Sequence, residues 1–362
     1  MAIERRTLSA AEREDRFHGL LAGAAGVRLL ESVVALQLPR LLAQQGPLTA
    51  EEIIAALGLD PHRGQKWLAL LCHLGLLEPA ARLGSPAPYR AGPLMRAFFH
   101  ADGTLIWFYQ DFLRYFRNVL NYDFVGVLGG LPVPQVPYPP RELEDVEALE
   151  AWMRTTTGET METIERAVNL GEVRRLLDVA GGDGTMAVHY ARRHPHLHVT
   201  VFNLPASAKM VRQNAEKAGF SDRIDVVEGD FRRDPLPRGY QMVQFSRVLA
   251  DWPEDVCRML LRKAKESLLP GGKVVICEPL ADENPALMLS WHFSYVPYDD
   301  FGVELYKPLA TYQRLLAGLG FRLLRVKHKS HDSIHAVIVA QRKKSNPRRR
   351  TAPTAKEKAR RK

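Results

Sequence analysis

Three short stretches hold residues whose types and spacing fit one piece of chemistry. Asp178 closes an apolar run and is followed by Gly181, Gly182 and Gly184. Small residues between a strand and a helix let the backbone approach a ligand closely, and the helix start offers unpaired N–H groups. Further on, one apolar run ends on Asn203-Leu204-Pro205 and another on Glu228-Gly229-Asp230-Phe231. A polar residue at the second strand end suits a ribose hydroxyl. An acid beside an aromatic suits the edge and face of an adenine. Gly182, Gly184 and Ala187 also satisfy the looser dinucleotide pattern G-x-G-x-x-G/A. Against that reading, Asp178 sits poorly beside a pyrophosphate but suits a cation, and Asn203 is not the acid an NAD ribose prefers. Together the residues point to S-adenosylmethionine (SAM), whose sulfonium and ammonium are both cationic. The glycine pattern alone is weak and the combination is not.

These residues need a sheet to hold them. Strands are expected at Leu176–Ala180, His198–Asn203, Ile224–Glu228, Met242–Phe245, Val274–Glu278, Arg322–Val326 and Ile334–Ala340, with helices at Thr185–Arg193, Ala206–Ala218, Glu254–Leu269 and Leu309–Ala317. Such alternation predicts an α/β domain: a seven-stranded, mostly parallel, Rossmann-like sheet with helices on both faces. Ahead of it the chain reads as a mostly α domain over 1–125, then a Pro-rich loop and connecting helix over 126–170, the sheet domain over 171–341 and a basic tail over 342–362. In the first domain Thr49 with Glu52 forms a capping box and Asp60-Pro61 opens the next helix. A wing between Arg82 and Gly92 would complete a winged helix. Its second helix, His62 to Leu77, turns apolar after one turn, whereas a DNA reader keeps a polar outer face. Packing or dimerisation is therefore expected, not DNA binding.

The net charge of +9 hints at nucleic acid, but eleven of the 50 Lys and Arg lie in the tail against one acid, so the body is close to neutral. The tail has no apolar anchor and reads as a solvated end that can contact anionic surfaces. Cys72, Cys257 and Cys277 are scattered in apolar surroundings. No zinc spacing or disulfide framework emerges and no metal site is expected, so a reducing cytoplasm is the default. The apolar stretch Leu20 to Ala43 carries Arg28, Glu31 and Arg40, which argues against a membrane span.

The segments LLDVAGGDG, VFNLP, EGDF, SRVLADWPEDVC, LLPGGKVVICEP and YQRLLAGLGF occur in this order at the spacing of SAM-dependent methyltransferases. The chain from about 15 to 341 resembles the plant and bacterial small-molecule O-methyltransferases. That resemblance implies a class I methyltransferase domain behind a winged-helix-like dimerisation domain, a homodimer, and a small hydrophobic or aromatic acceptor. It implies SAM against Asp178, Gly181, Gly182 and Gly184, its ribose at Asn203 and Leu204, its adenine at Asp230 and Phe231, and its methionine end near Ser246 and Arg247. Ala180 replaces the family's first glycine. Asn203 replaces its usual acid, which predicts a weaker ribose bond that Asn203→Asp would strengthen.

Methyl transfer from a sulfonium is an in-line displacement in which the protein aligns the acceptor and excludes water. A phenol of pKa ~10 still gains from a general base. The family's base is the histidine of a His-Asp-Trp motif, and this chain reads Ala250-Asp251-Trp252. Its second acid falls at Tyr306. Asp251, His292 and Glu304 are the candidate substitutes, although Asp251 equally suits the cap of the helix from Glu254. His292 stands in the aromatic run Trp291 to Tyr295, where it is also an ordinary pocket-wall residue. Asn203, the segment FGVELYKPLATYQRLLAGLGF and His292 also resemble the bacteriochlorophyllide C-20 methyltransferase branch, which implies carbon methylation of a tetrapyrrole as a second reading. A catalytically silent SAM-binding regulator is the third.

Overall fold

The computed structural model describes residues 8–80, 87–134, 142–297, 305–331 and 333–343. Contacts divide the chain into two compact units, Met1–Arg117 and Asn118–Lys362. In the first, α1 (Ala10–Ala35), α2 (Leu38–Gln45), α3 (Ala50–Ala56) and α4 (Pro61–His73) lead to β1 (Leu77–Pro79), β2 (Tyr89–Ala91) and α5 (Pro93–Phe98). Then α6 (Trp107–Leu120) runs across the boundary. Thr49 and Glu52 exchange the two bonds of a capping box, and the Asp60 carboxylate accepts the Arg63 N–H, so α3 and α4 start where the sequence predicts. β1 and β2 pair antiparallel as a wing whose tip, 81–86, lies outside the described residues. Ile53 of α3 and Leu68 and Leu71 of α4 are fully buried together with Leu38 and Met95, so the apolar half of the presumed recognition helix is core. α1 keeps Phe17, Leu20 and Leu21 exposed. Among the described residues it is the one helix long and apolar enough to cross a membrane, by length and composition only.

The second unit opens with α7 (Phe124–Leu128) and α8 (Leu143–Glu165). It continues as β3 (Arg175–Val179), α9 (Thr185–Arg193), β4 (His198–Asn203), α10 (Pro205–Ala218), β5 (Ile224–Glu228), β6 (Tyr240–Ser246), α11 (Glu254–Ser267), β7 (Leu268–Pro279), α12 (Pro285–Tyr295), α13 (Leu309–Gly318), β8 (Phe321–Lys327) and β9 (His335–Arg342). The strands form one seven-stranded sheet of order β5-β4-β3-β6-β7-β9-β8, parallel except where β9 enters antiparallel to β7 and β8. β3 and β4 read as near-continuous apolar runs because both faces are covered. One face buries Ile164, Met186, Tyr190 and Val211 of α8, α9 and α10, and the other Leu260, Leu261, Leu315 and Leu316 of α11 and α13.

The strand order reverses between β3 and β6. In such a sheet the crevice beyond the strand C-termini at the reversal is where ligands bind. That places the site above Asp178 of β3, Asn203 of β4, Ser246 of β6 and Glu278 of β7. The basic tail from 344 onward lies outside the described residues.

Candidate active site

The turn after β3 is shaped for close approach. Ala180, Gly182 and Gly184 have φ of 56°, 59° and 82°, a left-handed conformation that suits glycine and costs an alanine. The alanine in place of the family's first glycine is therefore a strained substitution, held by the Ala180 N–H bond to the Phe202 carbonyl. A Cβ on Gly181 would lie 2.5 Å from Asp178 Oδ2, one on Gly182 2.6 Å from Glu150 Oε2, and one on Gly184 2.8 Å from Val211 Cγ1. Asp178 is 1 % exposed; its Oδ1 accepts from Gln244 Nε2 at 3.2 Å, while Oδ2 is buried with no partner among the described residues. Burial pushes Asp178 up to about 7, against the pull of Gln244 and Arg247. Buried Ser246 Oγ likewise lacks a partner.

Neighbouring positions are spent on framework. Arg247, itself left-handed at φ 57°, donates to the Met153 carbonyl at 3.1 Å and to the Thr156 and Thr157 hydroxyls at 2.6 and 2.9 Å, tying the end of β6 to α8. Arg154 of α8 holds Asp183 at 2.7 Å. Asp230 is forked by Arg232 through bonds of 3.1 and 3.0 Å; burial works against its charge, but Arg232 wins and holds it below the usual carboxylate range. The Arg232 guanidinium lies 5.3 Å from the Trp252 ring centroid, and Phe231 meets the same ring edge-on at 5.5 Å.

On the acceptor side, Glu278 Oε1 accepts the Val248 and Leu249 N–H groups, both at 2.8 Å. Lys307, 3 % exposed, donates to the Leu249 and Ala250 carbonyls at 3.2 and 3.1 Å. The 3-10 turn Leu249–Asp251 is thus gripped from both sides. Asp251 does not cap α11: the cap is Pro253, with no side-chain bond, because the intervening Trp252-Pro253 carries the chain extended into the helix. Tyr306 (φ 51°) donates its N–H to the Ala250 carbonyl at 3.1 Å and stacks on His292, ring centroids 6.5 Å apart. His292 Nε2 lies 2.7 Å from the Leu305 carbonyl. A carbonyl only accepts, so Nε2 carries the hydrogen and a neutral ring keeps its lone pair on Nδ1. Trp291 stacks on Tyr295 and meets Tyr306 edge-on, and Phe293 packs on Phe124. Asp251 bears electrostatically on both Tyr306 and Glu278. Glu304 lies outside the described residues.

Comparison with known proteins decides the family. The O-methyltransferase domain matches residues 141–322 and the O-methyltransferase dimerisation domain residues 19–100. The chain belongs to the O-methyltransferase family. It is 35 % identical over 250 residues to 3-hydroxy-5-methyl-1-naphthoate 3-O-methyltransferase of Streptomyces sahachiroi, covering 66 % of this chain and 70 % of that one. It is 28 % identical over 206 residues to bacteriochlorophyllide d C-20 methyltransferase of Chlorobaculum tepidum, covering 56 % and 61 %. The solved SAM-dependent methyltransferase SibL, in its apo form, superposes with a TM-score of 0.72 at 26 % identity over 90 % of this chain and 98 % of its own. The protein is a SAM-dependent methyltransferase of small molecules with a class I fold.

The residues present fit that cofactor. The glycine turn packs so closely on Asp178, Glu150 and Val211 that a Cβ on any of its glycines would clash, and Asp178 Oδ2 and Ser246 Oγ are buried polar atoms with no hydrogen-bond partner among the described residues. One expected contact changes. Asn203 Nδ2 donates to the Gly182 carbonyl at 3.0 Å while its Oδ1 accepts the Leu204 N–H at 2.9 Å, so an amide fixed to its own strand end braces the turn through Nδ2. An aspartate would set a carboxylate oxygen against the Gly182 carbonyl. Asn203→Asp is therefore expected to bind SAM about fivefold more weakly, the worth of one hydrogen bond, in a calorimetric titration. This reverses the gain expected from residue type alone; a tighter variant would show that the amide does not brace the turn.

Sequence reasoning missed the polar face of α8, where Glu150, Arg154 and Thr157 recur at three- and four-residue intervals, and it missed Glu278 and Lys307. The α8 spacing was the available signal, since polar residues at i, i+4 and i+7 share one face. For Lys307 and Glu278 there was none.

Proposed function

We propose that this enzyme transfers the methyl group of SAM to a hydroxyl of a small hydrophobic or aromatic metabolite, with His292 as the general base. The observation that carries this reading is the 2.7 Å contact between His292 Nε2 and the Leu305 carbonyl. Anchored through Nε2–H to the Leu305 carbonyl, its neutral ring presents Nδ1 as a proton acceptor beside Trp291 and Tyr306. SAM, when bound, supplies a methyl already activated on a sulfonium sulfur. The chain's remaining work is to align the acceptor, exclude water and take the hydroxyl proton. An imidazole accepts a phenolic proton more readily than a carboxylate does, which favours His292 over Asp251. The aromatic wall of α12 supports a flat, apolar acceptor. The relative named for a hydroxynaphthoate supports a phenolic one. We further propose a homodimer in the cytoplasm, in which a second copy covers the exposed Phe17, Leu20 and Leu21 of α1.

Labelled SAM, offered with a panel of phenols, aromatic carboxylic acids and magnesium porphyrins, tests the proposal. Label is expected on phenolic oxygen. Label on a ring carbon of the porphyrin would replace the hydroxyl reading with carbon methylation, for which the same Nδ1 is a ready magnesium ligand. No transfer to any acceptor would favour a silent regulator.

A further inference from the structure

Glu150 is an acid that donor binding by the strand ends leaves unexplained. It sits on α8, 8 % exposed, with Oε2 pressed against the glycine turn in the space that Gly182 leaves open. Its carboxylate accepts the Asp183 N–H. Four charged groups stand around this part of the turn. Asp183 follows the glycines and is held by Arg154 from α8's own face. Arg247 reaches in from the end of β6, and Asp178 at the end of β3 keeps Oδ2 unpartnered. Three carboxylates therefore face two guanidiniums. With all three ionised, one negative charge is unmatched at a site mostly closed to water, a state that burial opposes. Burial pushes Glu150 up to about 7, with Asp183 adding to the rise and the Asp183 N–H, Arg247 and Arg154 opposing it.

At neutral pH, SAM carries a sulfonium, an ammonium and a carboxylate, one net positive charge. The product S-adenosylhomocysteine (SAH) has lost the sulfonium charge and is neutral overall. We infer that Glu150 is a charge selector in the donor site, whose buried carboxylate makes the pocket favour the cationic donor over the neutral product. Its surplus negative charge is matched while the methyl group is still on sulfur and unmatched once the group has left. Methyl transfer thereby weakens the grip on the spent cofactor and favours its release. The inference rests on the family's dependence on SAM and not on the identity of the acceptor.

Calorimetric titration of the full-length protein with SAM and with SAH, at pH 7 in two buffers of different ionisation heat, reads both affinity and proton release. Wild type is expected to release more proton on binding SAM than SAH, because a cation draws the buried acids into their charged form. Glu150→Gln keeps an acceptor for the Asp183 N–H but removes the charge. It is expected to weaken SAM about tenfold, one pKa unit's worth, and SAH by no more than about twofold, and to shrink the difference in proton release. Equal losses for both ligands, or none for either, overturn the selector. A second reading needs no variant: the wild-type ratio of SAM to SAH affinity is expected to rise from pH 6 to pH 8 as the acids ionise, and a constant ratio overturns the inference. Failure of wild type to bind SAM at all would overturn the donor assignment itself.

Discussion

His292→Ala is expected to lower kcat for phenol methylation about 10²- to 10⁴-fold, the usual contribution of a general base, with little change in KM. The effect follows from one bond. The Leu305 carbonyl takes the Nε2 proton at 2.7 Å, so the neutral ring offers only Nδ1 as its basic nitrogen. Tyr306, stacked on the ring, fixes its plane. The acid limb of the wild-type pH–rate profile is expected to vanish in the variant. A series of phenols of falling pKa separates chemistry from packing. A nitrophenol already ionised at the assay pH needs no base, so its loss is expected to shrink towards parity. An equal loss along the series would reduce His292 to a wall of the acceptor pocket.

Glu278→Ala is expected to destabilise the fold by about 2–6 kcal/mol at pH 6, because it orphans the Val248 and Leu249 N–H groups at roughly 1–3 kcal/mol each. Glu278→Gln retains an acceptor for both and is expected to fold like wild type. The pair also divides a pH effect. Burial pushes Glu278 up to about 8 from an ordinary 4.5, offset in part by Val248, Leu249 and Lys307 and reinforced by Asp251. Below pH 4.5 both folded and unfolded chains hold the proton. Between there and about 8 only the unfolded chain gives it up, so the stability associated with this group is lost as pH rises through that window. Urea melts from pH 5 to 9 are expected to show wild type losing stability relative to Glu278→Gln as pH rises. Parallel curves would mean that Glu278 ionises in the folded protein as it does in water.

Both predictions concern groups around Ala250, where the family's histidine is missing. The Ala250 carbonyl takes bonds from Lys307 and from the Tyr306 N–H, and the turn that would carry a base is braced as framework. On our proposal the acceptor chemistry falls instead to His292 of α12, whose ring stacks on Tyr306. Asp251 stays in the neighbourhood through its charge and not as a helix cap.

What the sequence determined by itself was local or periodic. The capping box at Thr49 and Glu52, the Asp60 cap, the glycine turn after β3 and the seven strands follow from neighbouring residues, because a cap, a left-handed turn or an apolar run is decided within a few positions of the chain. Those features were enough to imply SAM and the family. Which atoms are left to do chemistry was decided only by the tertiary structure. Asn203 reads in the sequence as a ribose contact, and only the fold shows that its amide also donates to the Gly182 carbonyl. Glu150 and Arg154 carried no assigned role in the connecting helix until α8 packed over the turn. Lys307 meets Leu249 and Glu278 meets Val248 across long stretches of chain, and no spacing rule links such partners. Burial and pairing set each group's charge and its spare hydrogen-bonding capacity, and both arise only when distant segments meet.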